Sequence, residues 1–314
     1  MLKVVLSKLL GAIPTLLLVS LITFFLLHLI PGDPAVVIAG LSATPEEVAQ
    51  IRTDLGLDQP LLTQLFHWYV DLAHGHMGHS LLLGQDVLQA VWQRLPVTLA
   101  LSAYALVLTL LVGIVGGVVA ALRQNTLVDQ VAMVFSMLGI SMPSFFFGPL
   151  LVLLFAVHFG WLPTGGYVNF TTNPWEWLRS ATLPAVSLAL LQIGLVARIT
   201  RSTMLEVLRQ DYVRTARAKG LPGWMVVGKH ALANAMIPIS TVVGISISLL
   251  VSGSVVIETI FSVPGIGQLL TQAVLNRDYP LVQGGLLLLT TFLVVVNIGV
   301  DVLYAALDPR VRLG

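Results

Sequence analysis

The chain has 314 residues, of which 56% are hydrophobic and only 10% charged, with a net charge of +1 at pH 7 and a mean hydropathy of +0.92. That composition excludes a soluble globular domain and points to an all-α, polytopic membrane protein. The absence of cysteine excludes structural disulfides and thiolate metal sites.

A hydrocarbon core of roughly 30 Å takes about 20 apolar residues to cross in helix. Windows of that kind at Leu9–Ile30, Val97–Leu122, Val131–Phe159, Leu183–Thr200, Ile237–Ile257 and Leu281–Leu307 predict six transmembrane helices within a single domain, residues 1–314. Lys3 and Lys8 precede the first window, which is too long for a signal h-region and lacks an Ala-x-Ala cleavage site, so it reads as a retained helix. Lys and Arg accumulate on the cytoplasmic side of spans. With both termini cytoplasmic, Lys3, Lys8, Arg123, Arg198, Arg201, Arg209, Arg214, Arg217, Lys219, Lys229, Arg310 and Arg312 lie inside, and only Arg52, Arg94, Arg179 and Arg277 outside.

The external loop, residues 31–96, is acidic, with Asp33, Glu46, Glu47, Asp54, Asp58, Asp71 and Asp86 against Arg52 and Arg94. Thr44-Pro45-Glu46-Glu47 places a capping hydroxyl, a proline at the first helical position and a glutamate three residues after the cap. Val48, Ile51 and Leu55 follow on one face, and Gly56 supplies a stop. A short amphipathic external helix is expected there, resting on the membrane surface, on other spans or on a partner protein.

In the second window Gly113, Gly116 and Gly117 allow close helix approach, and in the third Pro143 allows a kink. Gly244, Ser246, Ser248, Ser252, Gly253 and Ser254 make the fifth span small and polar, suited first to tight packing and second to lining a path. The ionisable residues near span ends are His28, Arg198, Glu258 and Asp301, where snorkelling or pairing suffices. A proton-coupled secondary transporter would more typically set such a group at the midplane between repeated halves, and no convincing internal repeat is present.

Between the fourth and fifth spans, within a cytoplasmic loop at residues 201–236, lies Asp211-Tyr212-Val213-Arg214-Thr215-Ala216-Arg217-Ala218-Lys219-Gly220-Leu221. It is short, basic and helical in character. Ala216 and Ala218 permit close approach of a partner, Gly220 permits a helix-ending turn, and Arg214, Arg217 and Lys219 can pair with acidic groups. A plain channel has no need of so structured a loop, and the bland alternative is a basic segment lying on anionic lipid.

This segment resembles the coupling loop of ABC-importer permeases of the family that takes up peptides, opines and nickel. In such permeases generally the loop carries Glu-Ala-Ala, three residues, then Gly; here Arg214-Thr215-Ala216 precedes Gly220, so a glutamate's role does not carry over. The Arg-Thr-Ala-Arg-Ala-Lys-Gly run resembles the peptide and nickel branch. Pro31-Gly32-Asp33-Pro34, Gly56-Leu57-Asp58-Gln59-Pro60-Leu61, Ser141-Met142-Pro143, Leu183-Pro184-Ala185, Arg277-Asp278-Tyr279-Pro280 and Asp308-Pro309-Arg310 resemble further landmarks in the family's order. Glu258, Ile260-Phe261 and Pro264-Gly265-Ile266-Gly267 resemble another, assigned here to an external gate or docking element.

The resemblance implies a type I importer permease in a bacterial inner membrane, a transport subunit without catalytic residues. It would work by alternating access in the lipid bilayer with a second homologous permease, two ABC ATPase subunits that bind ATP and magnesium, and an external solute-binding protein. No cofactor is expected in this chain, and nucleic acid is not among its partners. Di- or oligopeptides, including glutathione, are the expected cargo, with nickel the alternative.

Two motifs compete with that reading. Gly223-x4-Gly228-Lys229 has phosphate-loop spacing, but His230 stands where the magnesium-binding hydroxyl belongs and Trp224-Met225-Val226-Val227 is bulky and apolar. His74, His76 and His79 with Met77 have ligand types that suit nickel or copper. Gly75-His76-Met77-Gly78-His79-Ser80 nevertheless stands where the family often has Gly-Asp-Leu-Gly-x-Ser, so the histidines read as substitutions in a structural turn.

Overall fold

Helix dominates because nearly every long segment is apolar, and a backbone in hydrocarbon must bond to itself. The computed structural model describes residues 2–29, 34–39, 43–54, 56–80 and 82–307. Pro31-Gly32-Asp33, Leu55, Asp308-Pro309-Arg310 and Arg312, and the side chains of His28 and Ile51, lie outside the described set.

In chain order the helices are α1 (Leu2–Leu29), α2 (Pro34–Ala39), α3 (Pro45–Asp54) and α4 (Leu61–Ala73), followed by a two-residue-per-strand hairpin of β1 (His79–Ser80) and β2 (Gln85–Asp86). Then come α5 (Val87–Leu122), α6 (Leu127–Ser141), α7 (Ser144–His158) and α8 (Pro174–Leu208). The last are α9 (Asp211–Ala218), α10 (Gly223–Ile260), α11 (Ile266–Leu275) and α12 (Tyr279–Leu307). Five of these are long and apolar enough to cross a membrane, within α1, α5, α8, α10 and α12.

The third predicted window is not one straight span. Helices α6 and α7 meet at 111°, because Pro143 forces its neighbour out of the helical region: Met142 is extended at φ −104, ψ 130. The pair makes a sixth crossing only when counted as one broken span. The other windows run short at their wet ends. Helix α5 starts at Val87, not Val97, and α8 and α10 reach beyond both predicted limits, since a hydropathy window stops where polar residues begin while helical bonding continues.

The expected external helix forms as α3. The Thr44 Oγ accepts the Glu47 N–H at 3.3 Å, and the Glu47 carboxylate accepts the Thr44 N–H at 2.9 Å, a reciprocal capping box.

The chain divides into two compact units, one of residues 1–4, 97–264 and 296–314, the other of residues 5–96 and 265–295. In the first, α8 is the central helix, with 67% of its membrane window buried. Small residues let its neighbours come close. A Cβ on Gly117 of α5 would lie 2.6 Å from the Ala197 carbonyl oxygen, and one on Gly194 of α8 would lie 2.5 Å from that of Ser136 on α6. The small polar residues of α10 also serve packing: Ser246 Oγ donates to Gln192 Oε1 at 2.9 Å, and Gly253 lies against the Leu188 side chain. Ser248 Oγ donates to Asn297 Oδ1.

In the second unit, Ser20 of α1 and Tyr69 of α4 share a hydrogen bond of 2.7 Å, and Phe24 and Trp68 rings lie 5.7 Å apart. The hairpin is fastened to the start of α12. Buried Asp278 accepts Ser80 Oγ–H at 2.6 Å and the Leu82 N–H at 2.9 Å with one carboxylate oxygen, and the Leu281 N–H at 3.2 Å with the other. This latch gives the turn around His76 and the Arg277-Asp278-Tyr279-Pro280 landmark a common structural purpose.

Close packing at Gly194 yields a contrast. Gly194→Val should lower the thermal midpoint of the detergent-purified protein, since overpacking costs about 1–3 kcal/mol. Gly116→Val, where a Cβ meets nothing within 4 Å, should leave it within a degree or two. Equal midpoints for the two variants would contradict the packing described.

Candidate functional site

The segment singled out in the sequence folds as α9, between an extended Gln210 and an αL Gly220 (φ +75). Its end closes in a Schellman motif: the Leu221 N–H bonds the Ala216 carbonyl at 3.4 Å, and the Gly220 N–H that of Arg217 at 2.9 Å. Val213 and Ala216 are buried and pack with Val226, Val207, Leu208 and Leu221. One face of α9 is thereby fixed to its own chain. Asp211, Tyr212, Arg214, Thr215, Arg217, Ala218, Lys219 and Gly220 are all exposed.

This corrects one sequence reading. Ala216 is not on the outer surface awaiting a partner; it is small because α9 lies tightly on the end of α8 and the start of α10. Spacing of Val213 and Ala216 by three residues was the available signal. The exposed face carries Asp211 in the first turn and Arg217 and Lys219 at the end, in the sense that complements the helix dipole. Arg214 and Asp211 pair at 3.7 Å in full exposure, and Thr215 Oγ donates to the Asp211 carbonyl at 2.9 Å. The outcome is a helical platform packed on one side and exposed and cationic on the other.

Earlier on α8 lies an ion pair that sequence reasoning missed. Asp129, 3% exposed, accepts Arg201 Nε at 2.5 Å and Nη2 at 2.7 Å, a bidentate fork. Its second oxygen also accepts the Asn125 N–H at 2.9 Å. The pair ties the first turn of α6 to α8, and no local pattern joins residues so far apart in the chain.

The candidate external gate is distributed differently from expectation. Phe261 is 1% exposed and sits in the main apolar cluster with Leu101, Leu188 and Ile257. A Cβ on Gly148 would lie 3.1 Å from its ring, and its carbonyl accepts the Gly166 N–H at 2.9 Å. It is a packed anchor for the end of α10. Glu258 is completely buried, so snorkelling does not describe it. Nearby Tyr167 accepts Trp177 Nε1–H at 3.2 Å, and burial pushes its phenol above the ordinary value. Pro264 is half-buried, while Gly265 and Gly267 are buried at the start of α11, with Gly265 as its N-cap.

The histidines stay apart in role. His74 Nδ1 lies 2.7 Å from the Val70 carbonyl, and His79 Nδ1 3.2 Å from Asp86 Oδ1. Among the described residues no group of three His, Cys, Asp or Glu side chains could hold a metal ion. Residues Gly223–Leu232, the stretch with phosphate-loop spacing, are wound into helix and form no loop around a phosphate.

The chain has no native cysteine, which makes introduced thiols clean reporters of the platform. Arg217→Cys and Lys219→Cys should react with a membrane-impermeant maleimide in inside-out vesicles and not in right-side-out vesicles. Val213→Cys should react at least about tenfold more slowly. Equal rates at Val213 and Arg217 would mean that α9 does not lie down as described.

Known proteins bear on this arrangement. A family model described as binding-protein-dependent transport system inner membrane component matches residues 113–313, and the model of its N-terminal part matches residues 1–102. A Brucella abortus (strain 2308) protein, provisionally named a peptide transport system permease, is 51% identical over 99% of both chains. The glutathione transport system permease protein GsiC of Salmonella choleraesuis (strain SC-B67) is 42% identical over 99% of both. The dipeptide transport system permease protein DppB of Alkalihalophilus pseudofirmus is 38% identical over 99% of this chain and all of its own. A chain of the methionine ABC transporter MetNI, solved in inward-facing conformations, is similar at a TM-score of 0.50 and 19% identity, over 71% of this chain and 96% of its own. That likeness identifies the type I importer permease fold. A permease of a binding-protein-dependent importer implies ATPase and solute-binding partners. The chain belongs to the family of binding-protein-dependent transport system inner membrane components, the multi-pass permease subunits of ABC importers.

Proposed function

We propose that the chain imports di- or oligopeptides, with glutathione inside that class, by alternating access. The observation that carries the cargo is that full-length relatives bear peptide, dipeptide and glutathione transport names at 38–51% identity. In this reading both termini and α9 face the cytoplasm, and the importer pairs this chain with a second permease, two ATPase subunits and an external binding protein. ATP and magnesium bind to the ATPases. This chain changes no bond of its substrate.

The platform suits that division of labour. An ATPase that closes on ATP must move the permease through a small contact, and α9 presents cations for an acidic groove while Val213 and Ala216 hold its underside. Nickel, the alternative that the family resemblance leaves open, finds less support, because the relatives named above carry peptide, dipeptide and glutathione names.

Calorimetric titration of the cognate binding protein with dipeptides, glutathione and nickel tests the cargo directly. Tight peptide or glutathione binding is expected, and tight binding of nickel alone would overturn the reading. Coupling has its own test at Gly220, where φ +75 makes any side chain cost roughly 1–2 kcal/mol. Gly220→Val should insert normally but lose most of the ATPase stimulation by loaded binding protein in proteoliposomes. Unchanged stimulation and uptake would remove α9 from the coupling step.

A further inference from the structure

The cytoplasmic part of α8 ends in a groove that the coupling reading leaves without a role. Arg201, Ser202, Leu205, Glu206, Arg209 and Gln210 line a solvent-open cavity of about 430 Å³. Its lining positions recur at i, i+1, i+4, i+5, i+8 and i+9, which is one helical face. Ser202, Glu206, Arg209 and Gln210 are exposed there, although the same helix is the central buried element of its unit. Charge set against hydrocarbon is costly, so this face borders water or a polar ligand.

The groove contains a fixed part and a free part. Arg201 is held by Asp129 through both nitrogens of a bidentate pair, which fixes the guanidinium at one end. Glu206 and Arg209 have no side-chain hydrogen bond or ion pair among the described residues, and they do not pair with each other. A carboxylate in the last turn of α8 and a guanidinium at its C-cap therefore stand without such partners, about one helical turn, or roughly 5 Å, apart along the helix axis. Leu205, Ser202 and Gln210 add an apolar side chain, a hydroxyl and an amide to the same lining. The groove is open to solvent and lined from one stretch of chain, so it can hold a small ligand through its polar groups and not by enclosing it.

We infer that this groove is a transient binding site for the cargo on its way to the cytoplasm, and that it takes a short zwitterionic peptide. The peptide ammonium meets Glu206 and its terminal carboxylate meets Arg209. A chain of two or three residues spans at most about 7–11 Å, a length that these two side chains can bracket. Exposed charge pairs are individually weak, so the site holds its ligand loosely, as a point of release requires. The inference rests on the peptide-import reading and on the cytoplasmic placement of α9.

The test uses the assembled importer in nanodiscs without binding protein or nucleotide, titrated by saturation-transfer NMR with trialanine, N-acetyl-trialanine and trialanine amide. Glu206→Gln should weaken trialanine and the amide by roughly three- to fivefold, the size expected for exposed pairs, and leave N-acetyl-trialanine unchanged. Arg209→Gln should weaken trialanine and N-acetyl-trialanine and leave the amide unchanged. A merely structural effect moves all three ligands together, and that result overturns the site. Repeating the titration in phosphatidylcholine and phosphatidylglycerol nanodiscs separates another occupant: if Arg209→Gln only releases bound phosphatidylglycerol and no variant alters peptide affinity, the groove holds a lipid headgroup and the proposal fails. Peptide uptake by the same preparation with loaded binding protein distinguishes the two levels. No uptake removes the cargo reading and this site with it, whereas uptake without terminus selectivity removes this site alone.

Discussion

A carbonyl left without a donor costs several kcal/mol wherever water is excluded, and the ends of the helices here are built around that cost. The same closure recurs along the chain. Leu57 bonds back to Arg52 at the end of α3, His76 to Asp71 at α4, Leu221 to Ala216 at α9, Val263 to Glu258 at α10, and Asp278 to Ala273 at α11. In each case the intervening residue adopts the left-handed conformation, and the carbonyls of the last turn are satisfied within the segment. The chain can thus leave a helix sharply and start another element within a few residues. This is how a structure made almost wholly of helix accommodates a platform, a hairpin latch and a broken span.

At two of those ends the left-handed residue is not glycine. Ser262 has φ +54 and Arg277 φ +55, a conformation that costs an ordinary L-residue roughly 1–2 kcal/mol. Both are held from outside the turn: Phe261 is seated beneath Ser262 in the apolar cluster, and Asp278 after Arg277 is locked by Ser80 and Leu82. Tertiary packing sets the backbone at these points, and Gly220 by contrast reaches the same geometry with little strain of its own. The end of α9 is accordingly, like those of α3 and α4 at Gly56 and Gly75, one that its own short stretch can set.

That difference explains what could be read from the sequence. The capping box at Thr44 and Glu47, the stop after α9 and the spans themselves depend on near neighbours and hydropathy, so spacing revealed them. The depth of the break at Pro143 was only half legible: proline announces an interruption and an extended residue before it, while the size of the 111° angle has no local signal. Resemblance to a family landmark marks Phe261 for a gate or docking element, whereas the socket that holds it, made by Gly148 and residues near Gly166, lies far away in sequence. Asp129 and Arg201 were invisible as a pair for the same reason. Glu258 carried a signal of position alone, and its complete burial follows from the neighbours that α10 acquires in the fold.

The Asp129–Arg201 pair has more to do with geometry than with net stability, since two charges taken from water return little beyond their desolvation cost. Its effect is to fix where the C-terminal part of α8 sits relative to α6. From there the chain has little slack. Only Arg209 and Gln210 separate α8 from α9, and Lys219–Pro222 separate α9 from α10, with proline fixing φ at the second junction. Val213 and Ala216 add a packed underside. A displacement imposed on α9 cannot be absorbed by a flexible linker on either side, so it must appear as movement of α8 and α10 themselves. Those are the helices that carry the groove at Glu206 and the anchor at Phe261, and short stiff connections are therefore the physical means by which a small basic helix can act on the rest of its unit.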